Sequence, residues 1–145
     1  MKVYIDTSAL VKLYYPEKES EVLAAWIKQK NQPILFSSFH ELELKNAFAL
    51  KVFRNELTSA QQKAIYSVID TDISKGVLFR ISLDWGAVFI EAIELIKSHT
   101  HEIGSRSFDI FHIATAIVNK CSHIITFDER QLELAIAAKL KTIDL

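Results

Sequence analysis

Short apolar runs at Lys2–Ile5, Ile34–Phe36, Val77–Ile81, His123–Phe127 and Lys141–Ile143 alternate with longer segments of helical period, and this alternation most narrows the folds open to the chain. Strand, helix and strand in repeated succession imply parallel pairing, with helices covering both faces of the sheet. The expected class is α/β, with a mostly parallel central sheet covered by helices. In such a sheet, ligands gather beyond the carboxyl ends of the strands.

The helical segments carry their own start and stop signals. Helix is expected from about Ser8, and again from Glu17 to Lys30 after a break near Pro16. Ser38-Phe39-His40-Glu41 has the capping-box pattern and opens a helix to about Arg54, with Leu42, Ala49 and Phe53 on one stripe. Glu41 is thereby given a backbone role, whereas Glu43 lies with Ala47 and Leu50 at the edge of the stripe. Thr58 to Gln61 suggests a second cap, for a helix to roughly Ile73 that a Lys75-Gly76 stop ends. Asp84 is the expected N-cap of a helix running to about Ser98, followed by a polar link over His99–Arg106. From Ser107 a helix presents Ile110, Ile113, Ala114, Ile117 and Val118 as a continuous apolar face, and Glu129–Ala138 forms the last helix.

Length and composition fit this outline. The chain has 145 residues, half of them hydrophobic, with three Gly and two Pro. A single domain spanning residues 1–145 is expected, large enough to bury roughly 68–70% of its unfolded surface. The lone cysteine, Cys121, cannot form an internal disulfide and reads as a quiet buried thiol in a reducing compartment. Asp6 interrupts the N-terminal apolar run too early for a secretory signal, and no apolar stretch approaches the ~20 residues of a membrane helix. A cytoplasmic protein without a membrane partner is the expectation. The net charge of -1 neither demands nor excludes a nucleic-acid partner, because phosphate binding depends on where the cations lie.

Four acidic residues stand out by setting. Asp6 and Asp128 directly follow strands, Asp109 falls in the first turn of a helix, and Glu43 sits in Glu-Leu-Lys-Asn-Ala. For Asp109 alone, a favourable interaction with the helix dipole is a sufficient structural explanation. Together the four read differently. Carboxylates drawn from separate segments into one pocket repel one another, and a hard divalent cation resolves that conflict.

The ordered set resembles a known family. Asp6-Thr7-Ser8 after the first strand, Glu43 in its pentapeptide, Asp109 in Ser-Phe-Asp-Ile-Phe-His-Ile-Ala-Thr-Ala, and Asp128 in Ile-Ile-Thr-Phe-Asp-Glu-Arg-Gln are similar to the signature of PIN-domain ribonucleases. A single-domain protein of this size is most similar to the VapC toxins of type II toxin–antitoxin pairs. The resemblance implies a PIN-like three-layer fold and metal-dependent endonucleolytic hydrolysis of RNA phosphodiester bonds. It implies Mg2+ or Mn2+ held by Asp6, Glu43, Asp109 and Asp128, with Ser8 and Thr126 orienting carboxylates or water. It also implies a homodimer and a small VapB-like antitoxin covering the acidic groove. Apolar helix surface near Val11, Leu13 and Tyr14 would serve such contacts, or intramolecular packing.

The remaining polar and aromatic residues have plainer explanations, and other function classes lack residues they would need. Lys12, Lys45, Arg106 and Arg130 lie near the acidic positions and are accounted for equally as RNA phosphate contacts or as solvated cations. His99 and His101 lack the further ligands a zinc site needs and read as a solvated connection. His112 reads as a packed, hydrogen-bonded histidine, and Asp70 and Asp72 as surface charge. Tyr14, Tyr15 and Trp26 mean core or subunit contact more often than base stacking. A haloacid-dehalogenase phosphatase would need a second aspartate where this chain has Ser8. A response-regulator receiver would need paired acids near the first strand and a late lysine where Asp128 stands. DNA cleavage by a flap-endonuclease-like domain would call for extra DNA-binding segments. The non-enzymatic alternative is a PIN-like module that only binds RNA or a protein.

Overall fold

The computed structural model describes residues 1–145. In chain order the elements are β1 (Val3–Ile5), α1 (Thr7–Tyr14), α2 (Ser20–Lys30), β2 (Ile34–Phe36), α3 (Ser38–Phe53), α4 (Ser59–Ser74) and β3 (Leu78–Arg80). Then come α5 (Trp85–Leu95), a π-helical turn (Ile96–Thr100), α6 (His101–Ile103), α7 (Ser107–Val118), β4 (His123–Ile125), α8 (Glu129–Ala137) and β5 (Lys141–Thr142). Every strand pair is parallel, and the pairing resolves into two ladders, β1-β4-β5 and β2-β3. The chain divides into two compact units, residues 1–8 with 83–144, and residues 9–82 with Leu145.

In the first unit β1 and β4 pair with Val3 opposite His123, Tyr4 opposite Ile124 and Ile5 opposite Ile125. Tyr4, Ile5, Ile124 and Ile125 are all buried, as expected of a parallel sheet covered on both faces. Helix α7 packs against both α5 and α8. It contributes Ile110, Ile113 and Ala114 to the core, while Ile117 and Val118 are half-buried. The segment expected as a polar link at His99–Arg106 is helical as far as Ile103. Nothing before Gly104 breaks a helix, and the polar side chains of Lys97, Ser98, His101 and Glu102 reflect exposure to water rather than a loop. Gly104 ends the run at φ 70°, a conformation that glycine adopts without strain, and its N–H returns to the Thr100 carbonyl.

In the second unit Ile34, Leu35 and Phe36 pair with Leu78, Phe79 and Arg80. Two expectations for α3 are corrected. Its N-cap is Ser37, one residue early, with His40 completing the capping box: Ser37 Oγ accepts from His40 N at 3.3 Å, and His40 Nδ1 accepts from Ser37 N at 3.1 Å. Ser37 directly follows β2 in an extended conformation, which places the box there and releases Glu41 from any backbone role. Glu41 instead pairs with Arg80 at 2.7 Å and Lys45 at 3.0 Å, and the Arg80 guanidinium, seconded by Lys45 and opposed by partial burial, lowers its pKa. The buried stripe also differs. Phe39, Leu44 and Phe48 face the core, whereas Leu42 is 63% and Phe53 82% exposed. The second capping box, Thr58 with Gln61, forms as expected, as does the Asp84 cap of α5.

Candidate metal centre

Because Ile5 and Ile125 are the last paired residues of adjacent parallel strands, the chain positions that follow them leave the sheet side by side. Asp6 N donates to the Ile125 carbonyl at 3.1 Å, which extends the ladder by one bond. The Asp6 side chain is 0% exposed, and its carboxylate is cradled by hydroxyls. Ser8 Oγ lies 2.8 and 2.9 Å from its two oxygens, and Thr126 Oγ1 donates to Oδ2 at 2.6 Å. These hydroxyls receive bonds in turn: Asp128 N donates to Thr126 Oγ1 at 3.1 Å and Phe127 N to Ser8 Oγ at 3.3 Å. Asp6, Thr126 and Asp128 thus form one connected chain.

Asp128 has a second duty as the N-cap of α8. Its Oδ1 accepts from Arg130 N at 2.9 Å and Gln131 N at 3.1 Å, so Oδ2 stays outside the cap. Asp109 is built in the same way at the start of α7, where Oδ2 accepts from Arg106 N at 3.2 Å and lies 3.8 Å from Arg106 Nε. Each aspartate therefore spends one oxygen on a helix start and keeps the other. One turn beyond Asp109, His112 is 1% exposed, with Nδ1 2.8 Å from Tyr4 Oη and Nε2 3.3 Å from Thr7 Oγ1. The reading of His112 as a packed, hydrogen-bonded residue holds. Tyr4 and Thr7 as its partners were not legible, because only the pairing of β1 with β4 and the seating of α7 bring them together.

Glu43 lies in the second unit, half-buried on α3. No three His, Cys, Asp or Glu side chains are gathered closely enough to hold a metal ion. The first unit therefore offers the connected pair Asp6 and Asp128, with Asp109 at the start of α7 in the same unit, rather than a closed cage. Their donor atoms are all carboxylate or hydroxyl oxygens, which suit hard cations such as magnesium or manganese and not zinc in a thiolate or imidazole site.

The four cations differ in how engaged they are. Lys12 is ion-paired with both Glu17 and Glu19 at 2.7 Å; burial opposes its charge, but the two carboxylates outweigh burial and raise its pKa. Lys45 is held between Glu41 and Asp70, and the Glu41 hydrogen bond is the main reason its pKa rises. Arg106 is 71% exposed in its side chain, and Arg130 is exposed in the first turn of α8. Asp70 and Asp72 are not merely surface charge, since Asp70 pairs with Lys45 and Asp72 accepts from Tyr14 Oη at 2.8 Å. Cys121 is buried, and burial pushes its thiol up to about 11.

Residues 3–137 match the family model described as PIN domain. Among solved structures, the one described as the crystal structure of FitAcB from Neisseria gonorrhoeae is similar over 98% of this chain and 96% of that chain, with a TM-score of 0.66 and 17% identity. That likeness is one of fold. No curated protein matches the chain.

Proposed function

The chain belongs to the PIN-domain family, and from that premise we propose that it is a metal-dependent endoribonuclease acting as the VapC-type toxin of a type II toxin–antitoxin pair. The observation that carries the reading is the fully buried Asp6 carboxylate at the end of β1, held by Ser8 and Thr126 and tied through Thr126 to Asp128. In this reading Asp6, Asp109 and Asp128 serve Mg2+ or Mn2+, some of them through water that the ion retains, so that no closed three-carboxylate cage is required. Glu43 is the fourth carboxylate on the family pattern, and residues 1–145 act as one domain. A divalent cation bound there would lower the pKa of an attacking water and neutralise charge developing on the phosphoryl oxygens.

The protein's own groups prepare that chemistry. Ser8 and Thr126 fix the plane of the Asp6 carboxylate, the Arg106 amide just before α7 fixes Asp109, and the first amides of α8 fix Asp128. Arg106 and Arg130 stand at the starts of α7 and α8, where exposed guanidinium groups and helix N-termini favour a phosphate backbone. Lys12 and Lys45 would reach RNA only by giving up their present ion pairs.

Trp85, Phe89, Ile93 and Ile96 form an exposed apolar stripe along α5 and its continuation, which supports a homodimer. A VapB-like antitoxin is the proposed regulatory partner. No helix is long and apolar enough to cross a membrane, and action on RNA in the cytoplasm fits the reading.

The test is cleavage of total RNA by the purified protein with and without Mg2+ or Mn2+, beside folded Asp6→Asn and Glu43→Gln variants. Discrete metal-dependent fragments lost in both variants are the expected result. Wild-type turnover in either variant would remove that residue from the mechanism. A folded, inhibitor-free wild type that behaves like Asp6→Asn under every metal would favour the RNA- or protein-binding module instead.

A further inference from the structure

The proposed chemistry gives the buried imidazole of His112 no task. His112 is sealed from solvent together with Tyr4 and Thr7, and its two ring nitrogens each meet one hydroxyl. Tyr4 lies two residues before Asp6 and Thr7 one residue after it, so His112 holds the side chains of residues on both sides of that aspartate. His112 follows Asp109 by three residues, placing the two on neighbouring turns of one face of α7. One imidazole therefore joins the segment that carries Asp6 to the helix that carries Asp109.

Stability alone is a weak reason for this arrangement. Burying an imidazole and two hydroxyls incurs desolvation that their hydrogen bonds only roughly offset, and an apolar side chain of similar volume would fill the space without it. What hydrogen bonds add is direction. Both hydroxyls can donate or accept, so either neutral tautomer satisfies both ring nitrogens and the contact persists whichever nitrogen carries the hydrogen. A network satisfied in this way holds its members in one geometry.

We propose that His112 is a positioning residue that, through Tyr4 and Thr7, sets the placement of Asp6 relative to Asp109 and so the geometry in which a divalent cation is held. This inference deepens the metal-site reading and rests on it. The experiment is direct Mn2+ binding, followed by electron paramagnetic resonance of the free ion, on the full-length wild type, His112→Leu, Tyr4→Phe, Thr7→Val and His112→Gln. Thermal unfolding is measured on each, and cleavage is titrated with Mn2+. His112→Leu is expected to weaken Mn2+ binding on the order of tenfold, as loss of groups supporting metal ligands does. Tyr4→Phe and Thr7→Val shift binding in the same direction by less, and His112→Gln recovers part of the loss. The Mn2+ needed for half-maximal cleavage should rise with the dissociation constant while KM for RNA stays put.

Folded variants with wild-type Mn2+ affinity would overturn the positioning role and leave the metal site standing. Should His112→Leu fail to fold, Thr7→Val decides the matter by the same criterion. A wild type that binds no Mn2+ would overturn the metal reading and the positioning role with it. Binding that weakens in the variants without any RNA cleavage would support the positioning role while sinking the nuclease.

Discussion

Thr126 Oγ1 donates to Asp6 Oδ2 across 2.6 Å, joining the ends of two parallel strands that lie 120 residues apart in the chain. The same oxygen accepts from the Asp128 amide, so a single hydroxyl fixes two of the proposed metal ligands. Thr126→Val should lower the metal-dependent cleavage rate on the order of tenfold. It should also cost about 1–3 kcal/mol of stability, because a buried carboxylate loses a donor. Thr126→Ser keeps the hydroxyl and should retain most of both, as paired denaturant melts and cleavage rates would establish.

Asp128 separates a structural role from a chemical one. Asp128→Asn retains an oxygen for the Arg130 and Gln131 amides, so its unfolding midpoint should stay near wild type while metal-dependent cleavage is lost. Asp128→Ala removes the cap as well and should cost about 1 kcal/mol more. Equal stability of the two variants would show that the cap contributes nothing.

Glu41 predicts an acid-side dependence. Its folded pKa is depressed below the ordinary value of 4.5, chiefly by Arg80, so its contribution to stability is fully present above that value and is lost as pH falls through the lowered one. Glu41→Gln should therefore show a smaller loss of melting temperature than wild type between neutral pH and the acid range. The effect will be modest, since the Arg80 side chain is exposed. Parallel slopes for the two proteins would show that the ion pair is energetically silent.

Cys121 should react slowly while the protein is folded, because burial raises its thiol to about 11 and leaves little thiolate at neutral pH. Labelling with a disulfide reagent should accelerate sharply across the unfolding transition. Fast labelling in native buffer would place the thiol at an accessible surface.

The α/β alternation, the parallel pairing and the first-turn setting of Asp109 were all legible because each is written in local periodicity and spacing. Ile34–Phe36, the Thr58 capping box and the Asp84 cap follow from a few adjacent residues. The failures have equally local causes. The α3 cap moved to Ser37 because a histidine completed a box for which Glu41 was the stronger sequence signal. Leu42 and Phe53 read as core because periodicity reports that a helix has an apolar stripe and not whether anything covers it. The polar run at His99–Arg106 resembled a loop because exposed helix and loop share a composition.

By itself, then, the sequence determined which acidic residues follow strands or open helices, since those settings depend on a handful of neighbours in the chain. Only the tertiary structure decided that Thr126 grips Asp6 and that His112 reaches Tyr4 and Thr7 from the helix of Asp109. The reason is range. Hydrogen bonds between residues more than a hundred positions apart exist only once β1 and β4 have paired and α7 has been seated, and no local pattern encodes which hydroxyl will then face which carboxylate.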